Sequence, residues 1–278
     1  EQILTRVVIN ATGVFAEKIQ KSPEKQFHIR PLRGSHLIFP KELVPIDRVI
    51  SFMHPGDLRP VFVFPWEETA MLGTTDVDHD QELSDDPAIS TGEAQYLMDG
   101  LSYVLPGLKL GLDDCIASMA GVRPVLSRKR KQASRESREH VVWQDKGLVT
   151  VTGGKLTTFR LLAKDALKAA EKYLPQARPV SSKNTVLLKP AETSFLPENC
   201  RERLVGRFGE HVLKKLADYP DSLFEKVGDT QTTWAEFAWA AENEQVRNLS
   251  DLMLRRTRAG ILFKNGGEDL LDKVETVC

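Results

Sequence analysis

Sulfur is scarce in this chain. Its 278 residues include three cysteines, Cys115, Cys200 and Cys278, far apart and with no CxxC pair or interleaved histidines. That argues against a zinc site or a disulfide framework, so no metal site is expected, and it fits a reducing compartment. No apolar run approaches the ~20 residues that span a bilayer, and no signal peptide is visible. Contact with a membrane surface stays open, because a surface needs only a patch. An excess of charge of either sign is also missing: the formal net charge is −1 with 28% charged residues, which describes a soluble globular protein and gives no support for a nucleic-acid partner. There is no GxSxG, HExxH or P-loop, so hydrolase, zinc-protease and nucleotide-hydrolysis readings lack support. No internal repeat is found. The length suits one large domain or two ordinary ones.

What the chain does have is an organising stretch, Gly147 to Leu174. Leu148–Thr152 alternates β-branched and apolar residues and predicts a buried strand. Gly153-Gly154 frees the backbone for a tight turn. Thr157 or Thr158 can then cap a helix carrying Leu161, Leu162, Ala166, Ala169, Ala170 and Tyr173, stopped by Pro175. A helix beginning after a glycine turn aims N–H groups and partial positive charge at whatever sits there, and phosphate or the edge of a reduced flavin are candidates. Lys155 adds a full charge. An ordinary βα turn with a solvated lysine is the plainer reading.

Elsewhere, Arg6–Asn10 reads as a strand running into Asn10-Ala11-Thr12-Gly13, and Phe15–Gln20 as a short helix. Small residues at a strand end allow close approach of a ligand, or simply a tight turn. Ser35–Phe39, Val61–Phe64 and Ala70–Gly73 are β-prone runs of an antiparallel sheet. Leu83–Ile89 reads as a loop and Gly92–Leu105 as a helix capped by Ser90 or Thr91. Ile116–Val125 is strand-like, and Pro124 holds Arg123 extended. Ser127–Arg138 is dense in Arg and Lys. A solvated loop is its first reading; a nuclear-localisation or nucleic-acid patch, or contact with acidic phospholipid, are the lesser ones. Past a linker at Gln176–Lys189 the chain turns helical, with Glu198–Phe208, a capping box of Thr233 and Glu236 opening Trp234–Val246, and Asp251–Ala259 capped by Ser250. Because a buried-type strand begins almost at Glu1 without a partner before it, the chain is expected to be the C-terminal part of a longer polypeptide, cut inside a domain.

Cations drawn from distant segments are the candidate site: His36, Arg123, Arg138 and Lys155. Two arginines and a lysine suit a phosphomonoester, since guanidinium binds phosphate oxygens in pairs. A histidine or lysine can assist proton removal from an alcohol. Each also has an ordinary explanation, as a satisfied strand histidine, surface ion pairs and a helix-start lysine.

Taken in order, INATG at Ile9–Gly13, RGSHLIF at Arg33–Phe39, LGTTD at Leu72–Asp76, AGVRPV at Ala120–Val125, SREHVV at Ser137–Val142 and TGGKLTTFR at Thr152–Arg160 resemble the FAD-dependent, quinone-linked glycerol-3-phosphate dehydrogenase family. The tail, Glu236–Gly260, resembles that family's C-terminal helical domain, so the resemblance covers nearly the whole chain. It implies oxidation of sn-glycerol 3-phosphate to dihydroxyacetone phosphate, with hydride passed to flavin and electrons to quinone. It implies that Arg123, Arg138 and Lys155 line the substrate site, that His36 faces the reactive side of the flavin, and that His36, Arg123 and Lys155 are catalytic. Arg123 and Arg138 would hold phosphate while Lys155 stabilises the developing alkoxide or carries the proton. Ala11, Thr12 and Gly13, with Gly153, Gly154, Lys155, Leu156 and Thr157, match backbone lying against FAD.

The departures are the absent N-terminal GxGxxG segment, GVFAE where a more aromatic segment is often found, and the unusually basic loop. The isolated chain is therefore expected neither to hold FAD well nor to turn over. The expected fold is α+β: an FAD-dependent oxidoreductase portion over 1–182, made of FAD-domain pieces 1–29 and 141–182 and a substrate sheet 30–140, then a helical C-terminal domain over 183–278. The resemblance implies a cytoplasmic protein, peripheral at the inner face of the cytoplasmic membrane through quinone or membrane contact, and allows a homodimer. Two alternatives remain: an amino- or hydroxy-acid flavin oxidoreductase of the same superfamily, and a non-catalytic interaction domain.

Overall fold

The computed structural model describes residues 2–20, 28–83, 86–127, 139–174 and 193–278. The strands are β1 (Val8–Asn10), β2 (His28–Pro40), β3 (Ile50–Met53), β4 (Pro60–Trp66), β5 (Thr69–Gly73), β6 (Val77–Asp78), β7 (Ala117–Ser127), β8 (His140–Asp145) and β9 (Leu148–Gly153). The α-helices are α1 (Ala16–Ile19), α2 (Thr91–Val104), α3 (Phe159–Ala170), α4 (Glu198–Arg207), α5 (Glu210–Leu216), α6 (Trp234–Asn243) and α7 (Leu271–Val277). The expected α+β composition, antiparallel sheet and helical C-terminal region are all present. Basic loop residues 128–138 and linker residues 175–192 lie outside the described residues.

The chain forms two compact units, each assembled from separate segments. The first comprises Glu1–Ser35, Thr74–Ser90 and Ala120–Ser182. Here β1 pairs in parallel with β9, Val8 opposite Leu148 and Asn10 opposite Thr150, and β8 returns antiparallel along the other side of β9. The β8–β9 loop is Lys146-Gly147, both at positive φ (43° and 89°), the twist that lets two residues close a hairpin. Val149 and Val151 are buried, and α3 covers the sheet with Ala166 and Ala170, small residues that let the helix come close. Gln20, Asn10 and Thr150 are also buried and satisfy one another. The Asn10 amide donates to the Ala16 carbonyl and the Thr150 hydroxyl, and Thr150 donates to Gln20 Oε1. Asn10 also accepts from the Thr12 hydroxyl at 2.7 Å, which fixes the turn at the end of β1.

The second unit comprises His36–Gly73, Thr91–Met119 and Lys183–Cys278. Its strands run antiparallel in the order β3-β4-β5-β2. Val61 and Val63 alternate with exposed neighbours in β4, whereas Leu37, Ile38 and Phe39 of β2 and all of β5 are buried, as in strands covered on both faces. In α2, Ala94, Leu97, Met98 and Leu101 form the buried face the spacing predicts. The helical tail has two apolar clusters, one around Leu204, Phe208, Leu213 and Trp239, the other around Trp234, Phe237, Leu252 and Met253, with α6 contributing to both.

The same helix α6 carries a buried charge. Glu236 is fully enclosed, at 0% exposure, and accepts from Arg203 Nε at 2.6 Å and from the Thr233 N–H at 3.0 Å. Arg207 adds a contact at 3.2 Å. Arg203 also reaches Glu67 at 2.9 Å, and Glu67 accepts the Gln231 N–H at 3.0 Å. Glu67 sits at the β4–β5 turn with φ 53°, so the tail grips the tip of a sheet hairpin. Burial works against the charge on Arg203, yet the Glu236 carboxylate bonded to it outweighs that and raises its pKa. No helix among the described residues is long and apolar enough to cross a membrane.

Two local expectations came out differently. Thr158 stands at the N-cap of α3 but makes no side-chain cap bond to it; its hydroxyl donates to the Lys155 carbonyl at 2.9 Å and accepts the Lys155 N–H at 3.1 Å, and a 3₁₀ turn at Leu156–Thr158 precedes the helix. The segment predicted as an α-helix from Asp251 is a π-helix over Asp251–Arg256 with no side-chain cap from Ser250.

Candidate functional site

In the first unit, Arg123 lies on β7 with its guanidinium across β2, directly over Gly34. A β-carbon at position 34 would overlap all three terminal guanidinium atoms, so only glycine leaves the group room to lie flat. The segment after β5 then takes hold of it. Nη2 donates to the Thr74 hydroxyl at 2.8 Å, and Nη1 to the Thr75 carbonyl and to Asp76 Oδ1, each at 3.3 Å. Asp76 is nearly enclosed, its side chain 12% exposed, while the arginine side chain is 35% exposed. Thr75 is itself tied to β2, its hydroxyl accepting the Ser35 N–H at 2.9 Å.

Pro124, the next residue on β7, brings this strand to the turn at the end of β1. Gly13 has φ 60°, and among the described residues the atom nearest to where its β-carbon would stand belongs to Pro124, 4.0 Å away. Ala11 and Thr12 are exposed, so this backbone is open to approach. The Gly13 carbonyl accepts from the Thr152 hydroxyl at 3.2 Å, linking the turn to β9. β9 ends in Gly153 and Gly154, with φ 77° and 78°. A β-carbon on Gly153 would collide with the Glu139 carbonyl and crowd Leu126, and one on Gly154 would crowd Leu162 of α3. Lys155 follows, exposed, its backbone locked by Thr158 as described above. Leu156 is 88% exposed. His140, beside Gly154, pairs through Nε2 with Asp165 of α3 at 2.9 Å, so β8 and α3 are pinned on either side of the glycine turn.

His36 belongs to the second unit. It stands on β2 opposite Gly73 of β5, and its imidazole lies across that glycine, where a β-carbon would overlap the ring. Arg138 lies outside the described residues. Arg123, Ala11–Gly13 and Gly153–Thr157 belong to the first unit, where Pro124 approaches Gly13 and Thr152 bonds to it. The residues that hold Arg123, namely Gly34, Thr74 and Asp76, were not among the expected site residues. A lone glycine inside the β-prone run RGSHLIF was the available signal, because strand glycines mark close approaches.

Chemically, the first unit offers a flat guanidinium held by the segment after β5, an exposed ammonium, an open turn at Gly13 and a crowded turn at Gly153-Gly154. A flavin fits these residues: the open space at Gly13 and the exposed Lys155 and Leu156 leave room for a ring system.

Residues 1–197 match the family described as FAD dependent oxidoreductase, and residues 162–278 match the C-terminal domain of alpha-glycerophosphate oxidase. The chain is 30% identical to glycerol-3-phosphate dehydrogenase 2 of Mycobacterium bovis, over 99% of this chain and 50% of the relative. It is 28% identical to the aerobic glycerol-3-phosphate dehydrogenase of Bacillus subtilis, over 94% of this chain and 52% of the relative. It thus spans about half the length of these curated relatives. Its fold is similar to the X-ray structure of the glycerol-3-phosphate dehydrogenase from Bacillus halodurans complexed with FAD, with TM-score 0.77 and 23% identity over 100% of this chain and 57% of that one.

Proposed function

The chain belongs to the FAD-dependent oxidoreductase family, and from that premise we propose that it forms the substrate-facing part of a dehydrogenase oxidising sn-glycerol 3-phosphate to dihydroxyacetone phosphate. The observation that carries this reading is the cradle over Gly34, which presents Arg123 in one fixed orientation in the same unit as the open turn at Gly13 and the glycine turn at Gly153-Gly154. A fixed guanidinium suits a phosphate monoester better than a mobile one, because its ordering cost is met before the ligand arrives.

In this proposal Arg123 and Arg138 bind the phosphate. Lys155, its backbone held by Thr158, stabilises negative charge developing on the C2 oxygen or takes its proton. His36 stands at the reactive side of the cofactor. Ala11–Gly13 and Gly153–Thr157 hold FAD, which when bound supplies the hydride acceptor. The domain division we propose is an oxidoreductase portion over 1–182 and a helical domain over 183–278. Because relatives are about twice as long, the activity is assigned to a longer polypeptide carrying this chain, with little FAD binding by these residues alone. Quinone as electron acceptor, peripheral contact at the inner face of the cytoplasmic membrane, and a homodimer complete the proposal.

The test is the visible spectrum of the full-length protein, kept anaerobic, before and after addition of glycerol 3-phosphate. Bleaching of the oxidised-flavin band is expected. A flavin band indifferent to glycerol 3-phosphate would overturn the substrate, and a colourless protein would overturn the enzyme.

A further inference from the structure

We propose that Asp76 and Thr74 are positioning residues for Arg123, acting as a built-in substrate mimic that keeps the guanidinium in its binding pose before any anion enters. The inference rests on the functional reading above for its substrate. Its structural basis is separate.

Arginine is among the most flexible side chains, and an arginine that waits for ligand at a surface loses rotamer freedom when it binds. Here three acceptors from one short segment, Thr74 Oγ1, the Thr75 carbonyl and Asp76 Oδ1, take up donors on both terminal nitrogens. Gly34 removes the one atom that would lift the group from the sheet. The segment carrying the acceptors is itself fixed to β2 by the paired bonds between Ser35 and Thr75, at 2.9 and 3.3 Å. A side chain that only needed a counter-charge would be served by Asp76 alone. The addition of a hydroxyl, a carbonyl and a glycine platform points to orientation as the property being built. The Nη1–Oδ1 contact with Asp76 is 3.3 Å, long for a charge-assisted bond.

The test compares Thr74→Val, Asp76→Ala and Asp76→Asn in the full-length flavoprotein. Thr74→Val keeps shape and loses the acceptor; Asp76→Asn keeps an acceptor and loses the charge. Thr74→Val and Asp76→Ala are expected to raise KM for glycerol 3-phosphate about tenfold, as loss of a bond to a charged group does. The kcat should stay within about threefold and the flavin content unchanged. Asp76→Asn should restore KM to within about threefold of the parent. Independently of turnover, modification of Arg123 by phenylglyoxal, followed by peptide mass spectrometry, should be faster in Thr74→Val and Asp76→Ala than in the parent. If the parent flavin is bleached by glycerol 3-phosphate yet KM is unmoved in both variants, positioning is overturned. If the parent is not bleached, the substrate reading fails and the modification rate decides alone: acceleration supports the cradle, an unchanged rate overturns it. Should Asp76→Ala not fold, Thr74→Val decides.

Discussion

Replacing Arg203 by methionine tests the energetics of the helical tail without reference to catalysis. Methionine keeps the aliphatic stem and removes the guanidinium. Glu236, at 0% exposure, would lose its bonds at 2.6 and 3.2 Å, and Glu67 its contact at 2.9 Å. The Thr232 hydroxyl would lose its donor as well. A carboxylate left so enclosed, with Arg207 at 3.2 Å as remaining countercharge, puts the change among broken buried pairs, about 3–5 kcal/mol. An exposed pair would cost about 0–1 kcal/mol. For a unit of this size the loss corresponds to a fall in melting temperature of about 6–20 °C. Urea melts followed by tryptophan fluorescence are the assay, since Trp234 and Trp239 lie on the same helix as Glu236 and are buried. Replacing Glu236 by leucine in the same chain should recover only part of the loss, because the buried carboxylate is gone but Arg207, Glu67 and the Thr233 N–H each lose a partner. A loss below about 1 kcal/mol for the single variant would show that Glu236 reaches solvent or rebinds fully to Arg207, and the buried-network reasoning would be wrong.

Two further outcomes are expected. Gly34→Ala should lower kcat/KM of the full-length enzyme about a hundredfold with flavin retained, because the new methyl forces Arg123 off the sheet by about 1 Å, and displacements of that size cost about that much; wild-type kinetics would refute the platform. Burial, with a smaller push from Asp114, raises the Cys115 thiol to about 12 from an ordinary value of 9.0. The folded chain keeps that proton while the unfolded chain gives it up above about 9, so this contribution to stability is complete below pH 9 and declines between pH 9 and 12; urea melts of the parent and Cys115→Ala across that range should converge as pH rises, and parallel curves would exclude the effect.

Much of the first unit was legible in residue order. Alternating β-branched residues at 148–152 and paired glycines at 153–154 mark a strand and a turn that almost no other residues could make, and the structure has both, with positive φ at each glycine. The antiparallel strands and the apolar face of α2 were equally plain, since their periods are short. What was not legible depends on atoms far apart in sequence. Nothing local says that β1 lies parallel to β9, or that Thr158 would spend its hydroxyl on Lys155 instead of capping α3. The π-helical winding at Asp251–Arg256 escapes a reading based on a 3.6 period. The Arg123 cradle was half visible: GTTD and AGVRPV stood out as motifs, but only the folded sheet shows that Gly34 is the floor between them.

The parallel pairing of β1 with β9 sets a clock on synthesis. Asn10 and its bonding partner Thr150 are 140 residues apart. At about 5–20 residues per second the ribosome needs about 7–28 s to deliver the second strand after the first. For that interval Val8 and Ile9 have no place in the sheet they will join, and a waiting apolar strand is a template for the wrong neighbour. The short length of β1, three residues, limits that exposure, so a substitution extending its β-branched run toward Arg6 would be felt first in the yield of folded protein made by the cell, before any change in the stability of the finished molecule.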